Sequence, residues 1–189
     1  MEYLIRRILN EATVEDGNII RLDSFLSHQL DVELLEKLGK ELARHFKSAK
    51  PDKVLTAESS GIALAAFTAQ ALGVPAVYAK RFQIGHTDDD VWSTEVHSFV
   101  FGQSYTLRVS KKFLAEGERI LVVDDILSNG QAILGLLEII ATAGAESVGV
   151  GVVLEKGNRD GGSILRSMGL DVKSLVTFHG TENGTMILE

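Results

Sequence analysis

Apolar positions recur along this chain in two rhythms, and the places where one gives way to the other divide it into elements. Helical spacing comes first: "MEYLIRRILNEA" (1–12) carries its apolar residues on one face, and a turn, "EDGN", and a short strand, "IIRLD", follow. In "VELLEKLGKELARHF", Leu34, Leu35, Leu38, Leu42 and Phe46 make one face of a second helix, and Asp31 stands where its N-cap is expected. From residue 53 onward, short apolar runs alternate with helices. Strand "KVLTAE" leads through "SSG" to helix "IALAAFTAQALG"; strand "PAVYAK" leads to a polar stretch. Strand "RILVVDD" leads through "SNG" to helix "QAILGLLEIIATAG", and strand "ESVGVGVVLEK" to the short helix "GGSILRSMG". Apolar strands alternating with helices predict right-handed parallel βαβ units buried on both faces. The expected class is α/β, a doubly wound, mostly parallel sheet flanked by helices.

Residues 81–113 break this rhythm. "RFQIGHTDDDVW" is polar, while "TEVHSFVF" and "SYTLRVS" alternate apolar and polar residues on either side of "GQ", the pattern of an antiparallel hairpin. A mobile flap is expected here.

Composition narrows the function. The 189 residues suit one domain, with no Ser-rich linker, repeat or low-complexity tract. A net charge of -7 argues against a nucleic-acid surface, which needs clustered Lys and Arg. The absence of Cys removes disulfides, thiol nucleophiles and thiolate metal sites. The first twelve residues lack the continuous apolar core of a secretion signal, and no apolar run is long enough to cross a bilayer. A cytoplasmic protein without membrane or nucleic-acid partners is expected.

In an open parallel sheet, ligands sit beyond the carboxyl ends of the strands, near the point where strand order reverses. Those ends read Glu58-Ser59-Ser60-Gly61, Lys80-Arg81, Asp124-Asp125 and Glu155-Lys156. Any one of them alone is an ordinary solvated strand end. Four together, two of them opening a helix through small residues, point to a site for a polyanion or polyol. The turn Ser128-Asn129-Gly130 before Gln131 offers backbone N–H groups and the positive end of a helix, which suits a phosphate. A helix cap by Ser128 or Asn129 is the plainer account and is compatible with the first. No Walker A or dinucleotide glycine pattern accompanies the turn. Two adjacent acids repel a phosphate, so Asp124 and Asp125 fit sugar hydroxyls and a nearby hard cation. A sugar phosphate with a second phosphate group meets all these demands.

The run "ILVVDDILSNGQA" resembles the phosphoribosyl diphosphate (PRPP) signature of the type I phosphoribosyltransferases, with Asn129 in place of the usual Thr. "LDSFLSHQLD", "ESSGIA", "NGQA" and "GVVLEK", in collinear order, are similar to the xanthine phosphoribosyltransferases of bacterial purine salvage. The resemblance implies that fold, with a small hood from about 1–30 and the C-terminal segment, and transfer of phosphoribosyl from Mg²⁺-PRPP to xanthine, giving XMP and pyrophosphate. It implies that Ser128, Asn129, Gly130, Gln131 and Ala132 hold the 5′-phosphate, and that Asp124 and Asp125 serve the ribose hydroxyls. Glu58, Ser59, Ser60 and Gly61 would form the pyrophosphate loop, aided by Lys80 and Arg81, in this family often across a homodimer interface. Magnesium would be held mainly by PRPP, with Asp124 or Asp125 as the protein's contribution. Lys156 would contact the base, with Ile20 and Ser27 from the hood beside it. Ile20 stands where those enzymes carry Leu. Ser27 stands where they carry Asn, and a hydroxyl cannot reproduce the two-way hydrogen bonding of an amide. Hypoxanthine, guanine and orotate stay open as bases, and a PRPP-sensing regulator is the rival from another class.

Other constellations lead nowhere. The five His residues show no ligand spacing, and no Gly-x-Ser-x-Gly elbow is present. Trp92 reads as a lid anchor or an ordinary loop aromatic. Helix "IALAAFTAQALG" is apolar almost all round, which implies burial on two sides: in a homodimer, or beneath the helix that precedes it in the sequence.

Overall fold

A computed structural model of the chain describes residues 1–15, 19–82, 90–98, 102–182 and 184–189. Helix α1 (Glu2–Glu11) precedes strands β1 (Thr13–Glu15) and β2 (Ile19–Arg21), which pair antiparallel; a π-helical turn, Asp23–Ser27, follows. Helix α2 (Val32–Phe46) starts where expected, because the Asp31 carboxylate accepts the Leu34 N–H at 3.0 Å. Such a cap contributes about 1 kcal/mol. The remaining elements are β3 (Lys53–Ala57), α3 (Gly61–Leu72), β4 (Ala76–Phe82), β5 (Val91–Ser98), β6 (Gln103–Ser110) and β7 (Arg119–Leu127). Helix α4 (Gln131–Thr142), β8 (Glu146–Lys156), α5 (Gly161–Ser167), β9 (Val172–Glu182) and β10 (Thr185–Leu188) complete the chain.

Eight strands make one sheet in the order β10-β9-β8-β7-β3-β4-β6-β5. The central five are parallel, and the outer pairings are antiparallel. Along the sheet, β3 connects to β4 on one side while β7 connects to β8 on the other, so order reverses between β3 and β7. Period-two alternation sorts the side chains of these strands. Leu121 and Val123 of β7 join α2 and α3 in one apolar cluster, while Ile120 and Val122 join α4 and α5 in another. Burying each such residue contributes about 1.5–3 kcal/mol. Leu4, Ile8, Ile20, Leu22, Phe25 and Leu26 tie the N-terminal hood into the first cluster.

The apolar circumference of α3 is explained in part within the chain. Helix α2 lies across its outer face, and a Cβ on Gly39 would come within 2.7 Å of the Phe67 carbonyl carbon. Helix α2 thus covers one side of α3, while Ala66, Gln70 and Ala71 on another side are exposed.

In its described part the expected flap is the antiparallel hairpin that the alternation predicted. Strands β5 and β6 pair along their full lengths, and β6 also pairs with the end of β4. Val96, Leu107 and Val109 are buried, and Thr94 donates to Glu138 of α4 at 2.6 Å, so this hairpin is part of the sheet. Trp92 donates its indole N–H to the Leu114 carbonyl at 3.0 Å, a structural role. Residues 83–89 and 99–101 of the expected flap, and 16–18 of the "EDGN" turn, lie outside the described residues. Among the described residues no helix is long and apolar enough to cross a membrane.

Candidate active site

The reversal point between β3 and β7 gathers most of the residues singled out by sequence. Strand β3 ends at Ala57 and passes through Glu58, Ser59 and Ser60 into α3; the Glu58–Ser59 peptide is cis. Strand β7 runs two residues past the acid pair, to Leu127, so Asp124 and Asp125 sit within the strand and not at its end. Ile126 and Leu127 extend the ladder, pairing with Leu154 and Glu155.

The two halves meet at Gly61. A Cβ there would lie 2.2 Å from Thr56 Oγ1 and 2.7 Å from Asp124 Oδ1. The first turn of α3 is thus packed directly against the Asp124 carboxylate, an approach only glycine permits.

The Asp125 N–H donates to Asp124 Oδ1 at 3.0 Å. Burial pushes the Asp124 carboxyl well above the usual carboxylate range, and the neighbouring Asp125 charge pushes it further; the Asp125 amide and the Arg81 charge oppose them. Asp125 is buried, and from the hood Ser27 Oγ lies 3.5 Å from its Oδ2, the long limit for a hydrogen bond. Ser27 is therefore placed beside the acid pair. Ile20, its companion in the expected base pocket, is only 4% exposed and packed in the apolar cluster shared with α2 and α3.

The second turn, Ser128-Asn129-Gly130, leads into α4 with Gly130 in the cap position at φ 75°. Neither the Ser128 nor the Asn129 side chain caps the helix, contrary to the plainer account above. Leu134 is the first residue of α4 to donate back along the chain, to the Gly130 carbonyl at 2.8 Å. Helix geometry leaves the N–H groups of the first turn, from Gln131 and Ala132, pointing outward as donors. The turn is held from below by the Gly161 N–H, which donates to the Ser128 carbonyl at 3.1 Å.

Lys80 and Arg81 also lie inside a strand, where the sequence suggested a strand end: β4 continues to Phe82 because β6 pairs with it. The Arg81 N–H donates to Glu58 Oε1 at 2.5 Å, and its guanidinium lies 4.7 Å from the centre of the Tyr105 ring. Tyr105 was not singled out by sequence, although "SYTLRVS" alternates so that it shares a face with Leu107 and Val109. Burial holds its phenol above the usual tyrosine range, with the Arg81 charge opposing and the Asp124 charge adding to the rise.

The Glu155-Lys156 pair divides. Glu155 is buried, bound by both Arg166 Nη groups at 2.7 Å and by the Ser174 hydroxyl, which hold its carboxyl below the usual range against its desolvation. It is a structural anchor for α5. Lys156, at the end of β8, is partly buried, and burial followed by the Arg159 charge holds its ammonium below the usual lysine range. Among the described residues no cluster of three or more His, Asp or Glu is arranged to hold a metal.

Comparison with known proteins converges on one family. The phosphoribosyl transferase domain model matches residues 22–163, which contain both turns and the acid pair. The chain belongs to the phosphoribosyltransferase family. It is 47% identical to a xanthine phosphoribosyltransferase of Alkaliphilus metalliredigens, over 99% of this chain and 93% of that one. A xanthine phosphoribosyltransferase of Ruminiclostridium cellulolyticum is 44% identical over 98% of each. Among solved structures, the adenine phosphoribosyltransferase of Thermoanaerobacter pseudethanolicus superposes with a TM-score of 0.68 at 26% identity, covering 78% of this chain and 83% of that one. The fold is that of the type I phosphoribosyltransferases, as the resemblance of the acid-pair run implied. PRPP is the phosphoribosyl donor of this family.

Proposed function

We propose that the enzyme transfers the 5-phosphoribosyl group from Mg²⁺-PRPP to xanthine, giving XMP and pyrophosphate in purine salvage. The observation that carries this is the meeting of two helix-opening turns with Asp124 and Asp125 between β3 and β7. Full-length similarity to xanthine-named relatives supports the base.

In the reaction the ribose C1–oxygen bond to pyrophosphate breaks, pyrophosphate keeps the bonding pair, a base nitrogen takes its place at C1, and the imidazole-ring proton of the base is released to solvent. The ribose becomes cation-like on the way, so catalysis is positioning and charge stabilisation, with no covalent nucleophile. Asp124 and Asp125 accept hydrogen bonds from the ribose hydroxyls and face the developing positive charge. Ser128, Asn129, Gly130, Gln131 and Ala132 hold the 5′-phosphate on the N-terminus of α4. Glu58, Ser59, Ser60 and Gly61 form the pyrophosphate loop, with Arg81 beside it. Lys156 donates to an exocyclic oxygen of the purine, and Ile20 and Ser27 belong to the hood over the base.

Two adjacent carboxylates without a third are a poor cage for a bare cation. They suit a Mg²⁺ that keeps its waters and phosphate oxygens and takes one or two protein oxygens. When bound, it neutralises the charge building on the leaving pyrophosphate. The whole chain acts as a single domain and pairs as a homodimer, in which Lys80 reaches the partner's pyrophosphate site.

The test is a panel of bases. Xanthine, guanine, hypoxanthine, adenine and orotate are each added with Mg²⁺ and PRPP while pyrophosphate release is followed. Xanthine should give the highest kcat/KM. A protein that binds PRPP yet releases no pyrophosphate with any base would be a PRPP-binding regulator instead.

A further inference from the structure

Adjacent residues of a strand face opposite sides of the sheet, and that rule separates Lys80 from Arg81. Arg81 pairs with Leu107 and shares its face with Ala79, both buried in the cluster under α4. Tyr105, two residues before Leu107 on β6, packs on the same cluster. The Arg81 guanidinium lies over its ring at 4.7 Å, while its backbone N–H is fixed by Glu58 of the pyrophosphate loop. Lys80 pairs with Arg108 on the other face, where Arg108 in turn lies 4.8 Å from the Phe82 ring centre.

We propose that Tyr105 is a positioning residue that holds the Arg81 guanidinium over the PRPP site of its own chain, while Lys80 faces away from that site. This rests on the reading of the reversal point as a PRPP site. A free arginine samples many rotamers and loses that freedom when it grips a phosphate. An aromatic platform anchored in the sheet removes part of the loss in advance. The ring face also attracts the cation without consuming the N–H donors at its edge, so these remain for pyrophosphate oxygens. Tyr105 itself needs no contact with PRPP. Its ring is what matters, and its hydroxyl is dispensable.

The test is a double-mutant cycle read as the affinity of the full chain for Mg²⁺-PRPP, by calorimetry and without a base. Tyr105→Leu should weaken binding about 5- to 10-fold, and Tyr105→Phe, which keeps the ring, should stay within about 3-fold of the unmodified protein. In an Arg81→Ala background, Tyr105→Leu should cost nothing further. Equal losses from Tyr105→Leu with and without Arg81 would make Tyr105 a packing residue only and overturn the proposal. So would a Phe variant as weak as the Leu variant. The readout contains no base, so a failure of the xanthine assignment leaves the cycle intact.

Discussion

Gly61 and Asp124 touch across the gap between β3 and β7, and a methyl group on Gly61 would reach 2.7 Å from the Asp124 carboxylate. The same methyl would strike Thr56 Oγ1 at 2.2 Å, and Thr56 is buried. Both neighbours belong to central strands, so α3 must move. Gly61→Ala should lower kcat/KM at least ~10-fold, equivalent to about 1.4 kcal/mol. It should also lower Tm by about 2–4 °C for each 1 kcal/mol of overpacking. Steady-state kinetics and a thermal melt check both. Unaltered values for both would show that α3 shifts freely.

Asp124→Asn should separate stability from activity. An acid whose native pKa is raised binds its proton more tightly when folded. Its contribution is therefore most favourable below the unfolded value of 3.8 and is lost as pH climbs toward the native one. At neutral pH the unliganded enzyme carries that cost. The amide removes it, so Tm should rise by about 2–4 °C, the effect of about 1 kcal/mol in a chain of this size, and the gain should be larger at pH 8 than at pH 5. Turnover should fall at least ~10-fold with the loss of one charge-assisted contact. Calorimetric melts at the two pH values decide; a Tm that drops at pH 8 would contradict the burial argument.

Glu155 behaves in the opposite sense. Its carboxyl is held low by Arg166, so the stabilisation is present above its unfolded value of 4.5 and is lost as pH falls through the lower native value. Arg166→Ala leaves a buried carboxylate that keeps the Ser174 hydroxyl but loses both guanidinium bonds, and should cost about 1–3 kcal/mol at pH 7. Below pH 4 the two proteins should converge in stability. Denaturant titrations at pH 7 and pH 4 measure this, and a gap that stays constant with pH would dissociate Arg166 from the titration of Glu155.

Lys80 and Arg81 should answer differently to subunit exchange. If Arg81 serves its own chain, heterodimers of Arg81→Ala with Asp124→Asn contain two broken sites and stay inactive. If Lys80 serves the partner, Lys80→Ala mixed with Asp124→Asn regains one intact site. Recovery in the first mixture would show that Arg81 works across the interface, and none in verified heterodimers of the second would confine Lys80 to its own chain.

Much of the core was legible because β3, β7 and β8 are covered on both faces and so read as unbroken apolar runs. The cap at Asp31 and the turns before α3 and α4 were equally local signals. What depends on a neighbour was not legible. The reach of β4 through Lys80 and Arg81 is set by β6, about 25 residues away in sequence, and polar residues conceal the pairing. Glu155 looked like a site residue because nothing near it announces Arg166, which arrives from the next helix. Tyr105 passed as one more alternating aromatic, since its meaning comes from Arg81. The acid pair, the two turns and Lys156 were visible as residue types, whereas the closeness of Ser27 to Asp125 required the hood to fold over the sheet.

The separation between those two residues has a consequence for how the protein is made. Ser27 and Asp125 are 98 residues apart. At a ribosomal pace of 5–20 residues per second, the N-terminal part of the hood waits about 5–20 seconds for the acid it will cover. Strand β3 waits too: α3 brings β4 to one edge early, but the other edge stays open until Ile120 emerges to pair beside Lys53. An apolar strand with a bare edge is a template for pairing with other chains. Slow synthesis or crowded expression should therefore yield aggregates seeded at β3, and a chain stalled before residue 119 should be the most prone to them.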